Sequence, residues 1–227
     1  MNDWLEKLYE TFLETGYYTL MLEGLCNTVI ITLGALAIGV VIGTSIAVIK
    51  TFAEDVPALK PLTFLCNAYV NIIRGVPVVV LLLIFYFVIF TSAEGTMVAV
   101  LTFGINSGAY MAELIRSGIN AVDFGQMEAG RSLGFSKLQA MKEVVLPQAV
   151  RYILPAIGNE FIALLKETSV AGYVAVVDLT RAGNLVRNNT FDAVNPLMLV
   201  AVTYLAMVFA LSYLLGVLEK RLTTAKR

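Results

Sequence analysis

The stretch Leu25–Ile49 contains no charged residue. A helix needs about 20 consecutive apolar residues to cross roughly 30 Å of hydrocarbon, so this run is long enough to span a bilayer. Similar runs follow at Pro61–Phe90, Gly95–Ala112, Tyr152–Leu165 and Pro196–Leu218, separated by polar segments, the last of them a polar loop from Asp178 to Asn195. The second is interrupted by Arg74-Gly75-Val76-Pro77, where Gly75 and the missing Pro77 N–H should kink the span. The fourth carries Asn159 and Glu160 and extends toward Val170–Val177 past Lys166-Glu167-Thr168-Ser169. The expectation is an all-α integral membrane protein with about five transmembrane helices, a single domain over residues 1–227.

Composition agrees: 58% of the residues are hydrophobic and 15% charged, against about 25% charged in soluble domains. There is no histidine, which removes the commonest metal ligand and general base. Cys26 and Cys66 both sit in apolar runs and read as small buried hydrophobes. GxxxxGK[ST] and HExxH are both missing, so any energy source is expected on another chain.

Residues 3–15 place Trp4, Leu5, Leu8, Tyr9, Phe12 and Leu13 at helical spacing among Asp3, Glu6, Glu10 and Glu14. They read as a helix lying in the membrane interface, within an N-terminal segment 1–20. Lysine and arginine set the orientation. An outside N-terminus puts Lys50, Lys60, Arg116, Arg131, Lys137, Lys142, Arg151, Lys220, Arg221, Lys226 and Arg227 on the cytoplasmic side. It leaves Lys7, Arg181, Arg187 and Lys166 outside. Five spans then bring the C-terminus inside, and residues 117–150 become a cytoplasmic loop suited to docking a soluble partner.

That loop reads Glu128-Ala129-Gly130-Arg131-Ser132-Leu133-Gly134, then nine residues, then Val144-Val145-Leu146-Pro147. Met127–Leu133 suits a short helix ended by Gly134 in a left-handed conformation. Ser136 is a candidate N-cap for a second helix, Lys137–Val145, closed by Pro147. The segment resembles the EAA loop of ABC importer permease subunits, with Gly130 in place of the second alanine and Val144 in place of isoleucine. Asn27-Thr28, Arg74 to Pro77, Ala109 to Arg116, Gly125 to Ala129, Leu146 to Ala149, Asn159 to Ile162 and Leu164 to Ser169 follow the order of the polar amino-acid branch of that family. The likeness covers roughly residues 20–220.

The resemblance implies a type I importer bundle in the bacterial inner membrane that works as a dimer with a second permease, the same chain or a related one. Its partners would be cytoplasmic ATPases that bind ATP and magnesium, an external solute-binding protein, an amino-acid substrate and the lipid bilayer. It implies no cofactor in this chain and no nucleic acid. Coupling to the ATPase would fall on Glu128, Ala129, Gly130, Gly134, Leu146 and Pro147.

Ionisable residues inside spans are costly and mark pathways by default. Arg74 lies near the middle of the second stretch and Glu160 near mid-depth of the fourth. In one reading they bind the carboxylate and the ammonium or cationic side chain of an amino acid, with Asn159 and Thr28 adding neutral hydrogen bonds. In the other they pair within the protein and lock the bundle. Glu113 and Arg116, spaced i, i+3, read as a local ion pair. An ATP-independent carrier or channel is the alternative function, and it would need an ion-coupling site of its own.

Overall fold

The computed structural model describes residues 9–53 and 56–224, and every regular element among them is helical. Helix α1 (Tyr17–Ala53) holds the first apolar run. It is followed by α2 (Lys60–Gly75) and α3 (Val78–Ile84), the latter prolonged by a π-helical turn, Phe85–Ile89. Next come α4 (Gly95–Asn120), α5 (Phe124–Ser132), α6 (Lys137–Ala140) and α7 (Leu146–Glu167). A 3₁₀ segment, Thr168–Val174, leads to α8 (Leu179–Thr190) and α9 (Val194–Thr224).

Helices α1, α4 and α9 are long and apolar enough to cross a membrane, and the broken pair α2 and α3 adds a fourth if it counts as one span. The fifth expected span is α7. Its 22 residues give about 33 Å, but Arg151, Asn159, Glu160 and Lys166 dilute its apolar character.

Two expectations are corrected. The kink expected at Gly75–Pro77 is a full break, with Pro77 at φ −56°, ψ 134°. Pro77 has no N–H to continue the helix, and it drives the residue before it out of the α region. The polar loop expected at 178–195 contains α8, where Leu179, Ala182, Gly183 and Val186 are buried at helical spacing.

The chain packs as two compact units, and α1, α4, α7 and α9 each contribute residues to both. One unit comprises residues up to Ala37, Val76–Gly104 and Ala163–Ala210. Its cores gather Ile31, Leu82, Phe103, Leu164 and Val174 in one cluster, and Met21, Leu179, Val186 and Val200 in another. Phe12 belongs to the second cluster and is buried. Around it only Glu10–Glu14 form a π-helical turn; Asp3, Trp4, Leu5, Glu6, Lys7 and Leu8 lie outside the described residues. The other unit comprises Ile38–Gly75, Ile105–Ile162 and the chain from Leu211 onward. Its cores join Ile46, Cys66, Val70 and Ala112, and Ala47, Ile115, Ala149 and Ile153. Cys66 is buried as expected, whereas Cys26 is exposed on α1.

Candidate coupling elbow and polar cluster

Helix α5 begins at Asp123, whose Oδ1 accepts the Gly125 N–H at 2.7 Å. It ends in a Schellman motif: Phe135 N–H donates to Gly130 O at 3.2 Å and Gly134 N–H to Arg131 O at 3.0 Å, with Gly134 at φ +92°. Two residues later Ser136 closes a capping box. Its Oγ accepts from Gln139 N–H at 3.2 Å, and its own N–H donates to Gln139 Oε1 at 2.8 Å. Both turn assignments made from sequence are therefore present.

The second helix does not stop at Pro147. After α6 the backbone makes a π-helical turn, Met141–Val145, in which Leu146 N–H reaches Met141 O, and α7 continues from Leu146. The wider turn takes up the register shift just before the residue that cannot donate, so the helix passes through the proline.

Gly130 is buried where α5 meets α6. A Cβ there would lie 3.1 Å from Ala140 Cβ and 3.4 Å from Val144 Cγ2. Gln148 Nε2 donates to Gln126 Oε1 at 3.0 Å and Val144 O at 2.9 Å, tying α7 back to α5. Glu128, Ala129 and Pro147 are exposed and Leu146 is half-buried. Around them Phe124, Leu133 and Leu138 are 74%, 79% and 56% exposed. A polar loop that displays large apolar side chains in this way marks an interaction surface.

Of the residues expected on the substrate path, Arg74, Asn159 and Glu160 lie in the same unit as the elbow. The exposed Arg74 guanidinium sits over the Tyr110 ring, 5.0 Å from its centroid, a cation–π contact that desolvation strengthens. Glu160 accepts from Ser107 Oγ at 3.2 Å, and Asn159 is exposed with its Nδ2 donating to Pro155 O at 3.1 Å. Glu113 forms the expected pair with Arg116, at 2.7 Å, and also engages Lys50 at 3.4 Å.

Thr28 lies in the other unit and is fully buried. Its Oγ1 accepts the Leu179 N–H at 3.1 Å, while Asn27 Nδ2 donates to Val177 O at 2.9 Å. The Asn-Thr pair clamps the turn that starts α8. That turn is also held by Asp178, whose carboxylate caps the helix through the N–H groups of Thr180 and Arg181. Burial pushes the Asp178 carboxyl above its usual range, against the lowering effect of those N–H bonds. Sequence reading missed this clamp because its partners are some 150 residues apart. The signal it did offer was Asp178 ahead of an apolar 3–4 spacing. Thr28→Val removes the acceptor from a buried N–H and is expected to cost about 1–3 kcal/mol. Thermal unfolding of the detergent-purified chain measures it, and an unchanged midpoint would contradict the clamp.

Comparison with known proteins places this geometry in a family. Residues 39–224 match the family described as "binding-protein-dependent transport system inner membrane component". A probable glutamine ABC transporter permease of Bacillus subtilis (strain 168) is 36% identical over 90% of this chain and 94% of its own length. The glutamine transport system permease of Escherichia coli (strain K12) is 35% identical over 89% and 93%. The arginine transport system permease of Bacillus subtilis (strain 168) is 32% identical over 89% and 92%. A crystal structure of an amino acid ABC transporter with histidines superposes with a TM-score of 0.84 at 38% identity, covering 92% of this chain and 98% of that one. A methionine ABC transporter in an inward-facing conformation shares the fold, with a TM-score of 0.77 at 22% identity over 90% of this chain and 97% of that one. The chain belongs to the inner-membrane permease components of binding-protein-dependent transport systems.

Proposed function

We propose that this chain is the translocating subunit of an ATP-driven importer of polar amino acids, and that residues 1–227 act as one permease domain. The N-terminus lies outside and the C-terminus inside. An extracytoplasmic binding protein delivers the amino acid. A second permease, the same chain or a related one, completes the path across the bilayer. ATP and magnesium are bound and consumed on a separate cytoplasmic ATPase, and no cofactor is needed in this chain. The names of the relatives support an amino-acid substrate of glutamine or arginine type.

The observation that carries the reading is the elbow. Two capped helices pack at Gly130 and display Phe124, Leu133 and Leu138 to solvent. We assign ATPase docking to this surface, with Glu128 and Ala129 on its exposed face, Gly134 setting the turn, and Leu146 and Pro147 carrying the chain into α7. A polar amino acid passes Arg74, Asn159 and Glu160. Arg74 takes the carboxylate and Glu160 an ammonium or cationic side chain. Thr28 contributes through the clamp that sets α8, since its hydroxyl is fully buried.

The test is copurification of the partner ATPase with the tagged permease. Glu128→Lys reverses charge on the exposed face, and Gly134→Asp strains the left-handed turn by about 1–2 kcal/mol. Both are expected to lose the ATPase while the permease stays in the membrane fraction. Retention of the ATPase by both variants, or solute uptake by the purified permease alone, would overturn the reading in favour of an independent carrier.

A further inference from the structure

Arg74 and Glu160 stand on different helices, α2 and α7, yet each meets a residue on the same turn of α4. Ser107 Oγ donates to Glu160 Oε1 at 3.2 Å. The Tyr110 ring carries the Arg74 guanidinium on its face, 5.0 Å from centroid to Cζ. Residues spaced i, i+3 are neighbours on one helix face, about 4.5 Å apart along the axis. All four residues belong to one compact unit. One helical turn therefore touches both charges assigned to the substrate.

That turn is gripped by two other helices of the unit. From α1, Gly39 comes so close that a Cβ on it would lie 2.9 Å from Ser107 Oγ and 3.0 Å from Ser107 Cβ. From α2, Tyr69 Oη donates to Ile105 O at 2.6 Å. A Cβ on Gly108 would lie 3.0 Å from that same hydroxyl, so glycine leaves the space through which it reaches the carbonyl. Ser107 is fully buried. Bulk water does not compete for its hydroxyl, and Gly39 limits the directions in which it turns. Glu160 makes a further interaction besides the one with Ser107, so loss of the hydroxyl loosens the carboxylate without stripping it.

A carboxylate and a guanidinium that each refer to one rigid turn keep a fixed spacing. An amino acid bound between them sets its own carboxylate at Arg74 and its cationic group at Glu160, so the spacing gauges its length. A side chain too short leaves one charge unpaired in a water-poor path, and one too long must buckle. We propose that Ser107 and Tyr110 are positioning residues that fix the separation of Arg74 and Glu160, and that the permease selects cationic amino acids by the length from carboxylate to cation. This rests on the assignment of Arg74 and Glu160 to the two ends of the substrate, and adds what sets their distance.

Ornithine, lysine and homolysine differ only in that length. Their binding is measured on the purified complex of permease and ATPase without the binding protein, so that the permease alone selects. The wild-type affinities are expected to spread about tenfold or more across the series. Ser107→Ala and Tyr110→Leu are each expected to narrow the spread to within about threefold, because one charge then swings to meet the ligand. A purely structural loss lowers all three affinities by one factor and leaves their ratios intact. Ser107→Cys is the second variant if alanine fails to assemble: it fills the space beside Gly39 with a weaker donor, and it is expected to narrow the spread in the same direction. Wild-type affinities that are equal across the series, or absent, overturn the proposal, as do wild-type ratios in the variants. Glu160→Gln, measured alongside, separates the two levels. Unchanged affinities in Glu160→Gln remove the substrate path itself, whereas weakened binding there with wild-type ratios in the Ser107 and Tyr110 variants removes only the spacing role.

Discussion

Replacing Gly130 with leucine is expected to cut ATP-driven uptake about tenfold or more while the membrane bundle stays folded. The cause is steric. A Cβ at this position already lies 3.1 Å from Ala140 Cβ, and leucine adds three further carbons in the same direction. Overpacking of this kind costs about 1–3 kcal/mol. The elbow is peripheral, so the strain is relieved by α5 moving off α6 and not by unfolding. On the proposed assignment the exposed face of α5 then no longer meets the ATPase in register, and ATP turnover is expected to proceed without moving solute. Gly130→Ala is the control: its methyl needs only a few tenths of an ångström, and uptake is expected to stay within about twofold of wild type. Uptake and ATP hydrolysis measured together in proteoliposomes decide the matter. Wild-type uptake by the leucine variant would refute the assignment of Gly130 to the coupling surface.

The second large effect concerns Arg74 and Glu160, the two ionisable residues assigned to the proposed substrate path. Glu160→Gln keeps an oxygen for Ser107 Oγ but removes the charge. Uptake of a cationic amino acid is expected to fall about 10–100-fold, with a smaller loss for a neutral one, because only the former needs a counter-charge in a water-poor path. Arg74→Lys separates charge from shape, since lysine keeps the cation but lacks the planar fork that holds a carboxylate bidentately and rests on Tyr110. It is expected to lower uptake of every amino acid alike. Competition assays with a panel of labelled amino acids read both outcomes. If Glu160→Gln transported with unaltered preference, the residue would belong to bundle packing and not to the path.

What could be read in the sequence was whatever depends on near neighbours. The left-handed Gly134, the Ser136 cap and the pairing of Glu113 with Arg116 are each decided within four residues, and each appears in the structure. The apolar runs of α1, α4 and α9 were equally plain, because lipid demands about 20 such residues in a row. Features that depend on the rest of the molecule were hidden. Thr28 read as a pathway candidate because the Leu179 N–H that occupies its hydroxyl is remote in sequence. Helix α8 was obscured by its Arg, Asn and Thr residues, although four buried positions keep helical spacing. Pro147 read as a stop because the π-helical turn that lets the chain continue past it has no composition of its own.

That turn has a mechanical consequence. Had the chain broken at Pro147, the elbow would hang from the spans by a soft joint, and a push on it would be absorbed there. Instead the helix continues from the elbow through Pro147, and past a second proline at Pro155, to Glu160. Fourteen residues of rise make a lever arm of about 21 Å. Pivoted at its foot, a tilt of about 10° displaces the far end by roughly 4 Å, comparable to the width of a carboxylate. Helical continuity past Pro147 thus gives a small rotation at the surface a route to a displacement of several ångströms beside Glu160.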